Sequence, residues 1–497
     1  MALAFSTLAA LRFGTGFRPG QAPPESVEEL LGQLDAARRE KLSFPDGGPL
    51  AAKDRIAETT VQLALLKQAG KRAAPETKRL NRVRFNIEFV NLLTVEEHAR
   101  FIQSVLSPYG FNERLAGFWL NHFSVSARKE YFMRLIVPLY EAEAIRPHVA
   151  GRFADLAKAA VLHPAMLIYL DQVKSIGPNS PQGRKHHKGL NENLGRELLE
   201  LHTLGAGSGY TQTDVRNAAF VLTGMTVDRK TYQARYSARI AEPGARMVFG
   251  RSYGGRVRSQ SDVEDLIEDL AATPETRNHI CRKIAAHFIA DTPPPEVVEA
   301  MTVAWKRTDG DLTAVYAAML RHPASWQEEG QKAKPPFDYI VSGLRALSVE
   351  ADEMQHRGLP TDARAQPVGA AGMEGAMPQM EGGADAMGFD PAALRLRHNP
   401  LTVPAAERLG QPVWQPPSPA GFDDVFSTWI AGGPLAGRIA WARLAAARLG
   451  GDRDPRAFLH ETLRDAARQD TIDTVSLAPT RRMGIALVLA SPEFNRR

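Results

Sequence analysis

Residues 191–203 read NENLGRELLELHT and crowd two amides, three carboxylates, a guanidinium and an imidazole into one helix-length run. Leu194, Leu198 and Leu201 recur at helical spacing and predict a buried stripe, with Asn193, Glu197 and Glu200 on its flank. Carboxylates this close to a buried face can hold a divalent cation, share a proton, or clamp arginines from a neighbouring helix. Their mutual repulsion requires a positive partner once water is removed.

Two readings follow. In the first, Glu197, Glu200 and His202 are catalytic, joined by His163 and Asp171 from LHPAMLIYLDQ, while Glu192, Asn193 and Arg196 orient a substrate or neutralise charge. Burial would then raise a glutamate toward a working acid–base pKa. Asp171, Glu197 and Glu200 are the candidate metal ligands, and their oxygens favour magnesium, calcium or manganese. In the second, the run is scaffold, and Glu197 and Glu200 pair with arginines from other segments: Arg146, Arg152 or Arg282. This run holds no Glu-x-x-His pair of the kind a ferritin-like di-iron centre uses, and no other cofactor is evident.

Further polar groups lie in apolar surroundings. Asn121 and His122 sit inside FWLNHFSV, where buried polar groups need partners and become either hydrogen-bond hubs or a pocket lining. Asn191 is a plausible helix cap, His163-Pro164 a helix start, and Thr211 with Asp214 a second cap; Arg146 and Asp214 join the candidate binding residues. His202 lies on the Leu198 side and reads equally as a satisfied core histidine. Gly205, Gly207 and Gly209 end the helix; without a preceding strand they make no phosphate loop. The single cysteine, Cys281 in RNHICRKIAAHF, excludes an intrachain disulfide and a thiolate zinc site and reads as a buried helical thiol.

The elements that must hold these groups are helices. Amphipathic periods cover 23–39 and 51–69, and capping boxes are expected at Thr94/Glu97 and Ser261/Glu264, with Thr273-Pro274 opening another helix. Later helices are expected at 294–306, 312–320, 337–347, 435–449, 455–468 and 480–489. The one extended stretch, 230–249, predicts a hairpin turning at EPGAR. The expected architecture is a mostly α-helical body over 1–350 with a small β-hairpin near 230–250. A Gly/Ala/Met-rich flexible insertion follows at 351–390, then a C-terminal helical part at 391–497 packed on the body.

With 61 basic and 56 acidic side chains the net charge is only +5, so no specific nucleic-acid binding is expected. The basic run 184–188 reads as a solvated loop. No stretch is apolar for the length a membrane span needs. The N-terminal MALAFSTLAALRFG lacks a basic leader, so the expected location is cytoplasmic.

RFGTGFRPG, FWLNHFSV, HPAMLIYLDQVKSIGPNS, NENLGRELLELHTLGAGSGYTQTDVRNAAFVLTG, RKIAAHFIADTPPP and LGQPVWQPPSP, spread over almost the whole chain, resemble the large bacterial family of unknown function DUF1800. The resemblance implies a helical protein. It also implies relatives that are often exported and that neighbour sulfatase-like genes, which keeps export open and makes such a gene product a candidate protein partner. Relatives often carry His-[Asp/Glu]-Pro-Gly where this chain has Ala241-Glu242-Pro-Gly, which removes that histidine as a ligand. The expected function is a binding or accessory protein with a polar pocket between helices; the alternative is a carboxylate- or divalent-metal-dependent hydrolase.

Overall fold

The computed structural model describes residues 3–71, 74–187, 189–255, 257–327, 330–354 and 399–497. Most of the insertion expected at 351–390 lies outside these; its first turn, Ala351–Met354, is helical. The described residues are mostly helical, with four short strands among them as two hairpins.

Local rules succeed where one residue decides the start of a helix. Thr273 accepts from Thr276 N ahead of helix Pro274–Phe288, and Thr211 with Asp214 closes a reciprocal capping box ahead of Gln212–Leu222. They fail where a buried stripe runs on. Thr94 and Glu97 are interior to the long helix Pro75–Leu106, because Phe89, Leu93, Phe101 and Val105 continue one apolar face past them. Ser261 is the first helical residue rather than a cap; Gln260 holds the cap position. The basic run is also helical over Pro181–His186, capped by Ser180.

The expected hairpin is replaced by two. β1 (Met225–Val227) pairs with β2 (Ala234–Tyr236), and β3 (Arg246–Val248) with β4 (Arg251–Tyr253), both antiparallel. The turn of the second is Phe249-Gly250, both at positive φ, as a two-residue hairpin turn demands. The EPGAR segment instead joins the hairpins. Its Glu242 is buried, accepting from Asn179 N and Nδ2 and from Arg246, while Thr223 Oγ1 accepts from Glu242 N.

One apolar core runs through the body and includes Leu401, Val413, Trp414, Trp441, Phe458 and Leu489 from beyond the insertion. Gly343 is required there, since a Cβ would sit 2.4 Å from the Trp441 ring. Inside this core lies an ionic network. Arg146 makes a two-pronged contact with Glu113 at 2.6 and 2.9 Å and reaches Glu141 at 3.0 Å; Arg100 and the Trp414 indole complete Glu141 at 2.7 and 2.6 Å. Arg146 is therefore structural, tying three helical segments together.

Glu97, buried beside this network, accepts one hydrogen bond from Gln415 Nε2 at 2.9 Å. Burial raises its pKa to about 8, with Glu407 adding repulsion. Below the ordinary carboxylate pKa the group is neutral in both folded and unfolded chains. As pH climbs from there to about 8, only the unfolded chain ionises, so stability falls. Glu97→Gln keeps the shape and removes the titration. Its advantage over wild type in urea denaturation should grow between pH 5 and pH 9 to roughly 3–5 kcal/mol. A pH-independent difference would rule out a buried protonated carboxyl.

Candidate functional site

The run that opened the sequence reading does not form a carboxylate site. Asn191 Oδ1 accepts from Asn193 N, the helix Asn193–Glu197 follows, and a π-turn, Leu198–His202, ends it. Gly195 exists for close packing: a Cβ would lie 2.8 Å from Ala219 N on the neighbouring helix. Arg196 serves Glu200 at 3.4 Å, Glu192 at 3.8 Å and Gln212 at 3.0 Å, all in local contacts. Glu192 also accepts from Gln212, and Asn193 is exposed. Glu197 is partly buried, its pKa raised by burial and then by Glu200.

The expected clamping of Glu197 and Glu200 by distant arginines is thus corrected. Arg146 is taken by Glu113 and Glu141, Arg152 pairs with Glu268 and Asp309, and Arg282 is exposed. The physical reason is partial hydration. These glutamates keep enough water to need no cross-helix cation, whereas Glu113 and Glu141 do not.

The other candidates are similarly dispersed. His163 Nδ1 accepts from Ala165 N and caps helix Pro164–Tyr169. Asp171, in a left-handed conformation, is held by Lys129 and Lys174, both at 2.8 Å. Asp214 accepts from Thr211 and from Phe249 N, joining its helix to a hairpin turn. Among the described residues no group of three His, Cys, Asp or Glu side chains is placed to hold a metal ion. Cys281 is buried.

What the fold does assemble is centred on helix Pro274–Phe288. His279, Lys283 and His287 follow at intervals of four and share one face. That spacing was available in the sequence, but the segment was read there through Cys281, as the site of a buried helical thiol. His122, from the end of helix Gly110–His122, accepts at Nδ1 from Lys283 Nζ at 3.0 Å and donates from Nε2 to the His202 carbonyl at 3.3 Å. The His122 ring lies 5.9 Å from that of His202 and 6.4 Å from that of His279. His202 is fully buried and, among the described residues, neither ring nitrogen has a hydrogen-bond partner. It is therefore not the satisfied core histidine that its position suggested. Burial, then Lys283, pushes its pKa down to about 3, so it is neutral. Gly205 must be glycine: its φ is +89°, and a Cβ would meet the His279 ring at 2.7 Å.

One turn further on, His287 Nδ1 donates to Asp424 at 2.6 Å, and its Nε2 lies 3.2 Å from Arg114. Burial lowers its pKa to about 4, so the imidazole is neutral and accepts from the guanidinium. Arg497 bridges Asp424 at 2.9 Å and Asp338 at 3.0 Å, and Lys332 binds Asp291 at 2.6 Å and the Asp424 carbonyl. Burial alone would raise Asp424; His287, Arg497 and Lys332 outweigh it and hold the carboxyl well below its usual range. Lys334, 2% exposed, has no hydrogen-bond partner for Nζ among the described residues and lies 4.2 Å over the Phe494 ring. Burial pushes its pKa down to about 7.

Arg114, His287, Asp338 and Asp424 of this network line the floor of a cleft open to solvent. Its walls are Phe118, Phe337, Trp414 and Phe422; Arg100, Arg114, Asp338 and Asp424 contribute charge. Asn121 alone of the residues singled out from sequence lines it, and it pairs through both amide atoms with the Phe422 backbone, at 2.9 and 2.8 Å, fixing the outer loop. Arg100 stacks 4.3 Å from the Phe337 ring while bound to Glu141, so the buried ionic network sets one wall.

A helical body with an aromatic-walled cleft over a floor of paired arginine, aspartate and histidine side chains is the class of protein these features define. The chain belongs to DUF1800, a family of proteins of unknown function, whose pattern matches residues 10–496. No curated protein and no solved structure matches it. Among the described residues no helix is long and apolar enough to cross a membrane.

Proposed function

We propose that this protein is a binding protein whose ligand, with a flat apolar body and a polar head, occupies the aromatic-walled cleft. The observation that carries the reading is the cleft itself: concave, apolar on its sides and charged at its floor. The floor groups hold one another in place, which suits recognition by preorganised donors and acceptors more than proton transfer. The hydrolase reading is the weaker, because Glu200, His163 and Asp171 are spent on separate contacts that do not converge with Glu197.

Gly117 supplies the test. It lines the cleft on helix Gly110–His122, and a Cβ there would meet nothing within 4 Å. Gly117→Trp should therefore fill the cleft without disturbing the fold. Aromatic carboxylates and amines would be screened by the fluorescence of Trp414 and by thermal shift. Bound compounds should weaken at least about a hundredfold in the variant, roughly 3 kcal/mol, at unchanged melting temperature. Equal affinity in the two proteins would remove the cleft as the site.

A further inference from the structure

We propose that Lys283 is a carbonyl-binding amine, poised by His122 to form a reversible imine with an aldehyde or ketone ligand. The inference is independent of which molecule fills the cleft, and rests on the placement of one amine. Lys283 is partly exposed, and among the described residues its Nζ makes no ion pair within 4 Å. Its hydrogen-bond partner is a neutral imidazole nitrogen, His122 Nδ1, which accepts an N–H and leaves the amine free to lose its charge. His122 cannot turn away, because its other nitrogen donates to the His202 carbonyl and its ring packs at 4.6 Å against Phe123.

The groups around Lys283 are His122 from the preceding helix, His202 from the π-turn, His279 and His287 on its own helix, and Asp424 from the outer loop. Burial pushes its pKa down to about 8, and Asp424 only partly opposes this. Lysines so placed serve as imine-forming nucleophiles. The step balances simply. The Nζ lone pair attacks the carbonyl carbon and the C=O π pair moves to oxygen. A proton passes from nitrogen to that oxygen, and the carbinolamine loses water to leave C=N.

Lys334 is the informative contrast. Its pKa is lowered further, to about 7, but it is 2% exposed and sealed among Arg114, Arg438 and Arg497. Amine chemistry there has no access.

The experiment needs only the wild-type chain. Butyraldehyde with sodium cyanoborohydride, at limiting dose, converts any imine to a stable secondary amine, and peptide mapping locates it. At pH 8 the neutral fraction of Lys283 is about a hundredfold that of an ordinary exposed lysine. Lys283 should therefore be labelled at least tenfold faster than Lys174, whose side chain is 68% exposed. Its rate against pH should bend near 8. Labelling no faster than Lys174, a bend in the range of ordinary lysines, or preferential labelling of Lys334 would each overturn the assignment. Lys283→Arg should abolish the fast label and leave that at Lys174 unchanged.

Discussion

Arg146→Met is expected to cost this protein roughly 3–5 kcal/mol of folding stability, enough to leave much of the chain unfolded if its total lies in the usual range. The guanidinium neutralises two carboxylates at once: Glu113, 6% exposed, and Glu141, fully buried. Methionine fills much the same volume but leaves both acids without their shared cation; Glu141 retains Arg100 and the Trp414 indole, and Glu113 retains only Ser104. Burial would raise Glu113, yet the attraction and hydrogen bonds of Arg146 outweigh it and hold its pKa below the ordinary value. That contribution is present above the ordinary carboxylate pKa and is lost as pH falls through the lowered one. The penalty of Arg146→Met should therefore be largest near neutrality and shrink in acid. Adding Glu113→Gln to the variant should recover part of the loss. Urea midpoints for the four proteins of this cycle give the answer; a single-variant loss under about 1 kcal/mol would show that the network is not what fixes these segments.

The opposite sign is expected at Lys334. This amine is buried with no hydrogen bond among the described residues, surrounded by three guanidiniums, and opposed only by Asp338. Its folded pKa, about 7, lies below the ordinary lysine value of 10.5. Above that ordinary value the group is neutral in both states and costs nothing. As pH falls toward 7 the unfolded chain gains a proton that the folded chain refuses, so stability declines. Lys334→Met, whose thioether suits the Phe494 ring, removes this penalty. The variant should be more stable than wild type by roughly 3–5 kcal/mol at pH 6, and the gain should shrink steadily toward pH 10. A constant difference across that range would mean that Lys334 is charged in the folded protein. A group this costly beside the cleft floor is what a binding site retains for its ligand rather than for its fold.

Helices were legible because their signals are local. Thr273-Pro274 and Thr211 with Asp214 each act within a turn, and chain geometry enforces them, whereas of the predicted stripe Leu194 and Leu198 are buried but the π-turn buries Leu199 in place of Leu201. The strands were half legible. Residues 234–236 and 246–248 are extended as expected, but their partners, 225–227 and 251–253, lie outside the window that alternation marked out. Pairing is a choice among distant edges that a single strand does not encode.

The candidate site was least legible. Asn121 was recognised as a buried amide, and its partner proved to be the Phe422 backbone, three hundred residues further along the chain. His122 and His202 were both singled out, yet only packing brought their rings within 6 Å of each other and placed Lys283 against one of them. The carboxylates that needed buried cations were Glu113 and Glu141, not Glu197 and Glu200, because desolvation depends on what covers a helix face. By itself the sequence determined the family, the helical class and the capped ends at Thr211 and Thr273, all properties of short-range chain geometry and pattern. The tertiary structure alone decided which charges lost their water, which found partners, and where the cleft opened, since those depend on burial by segments remote in the chain.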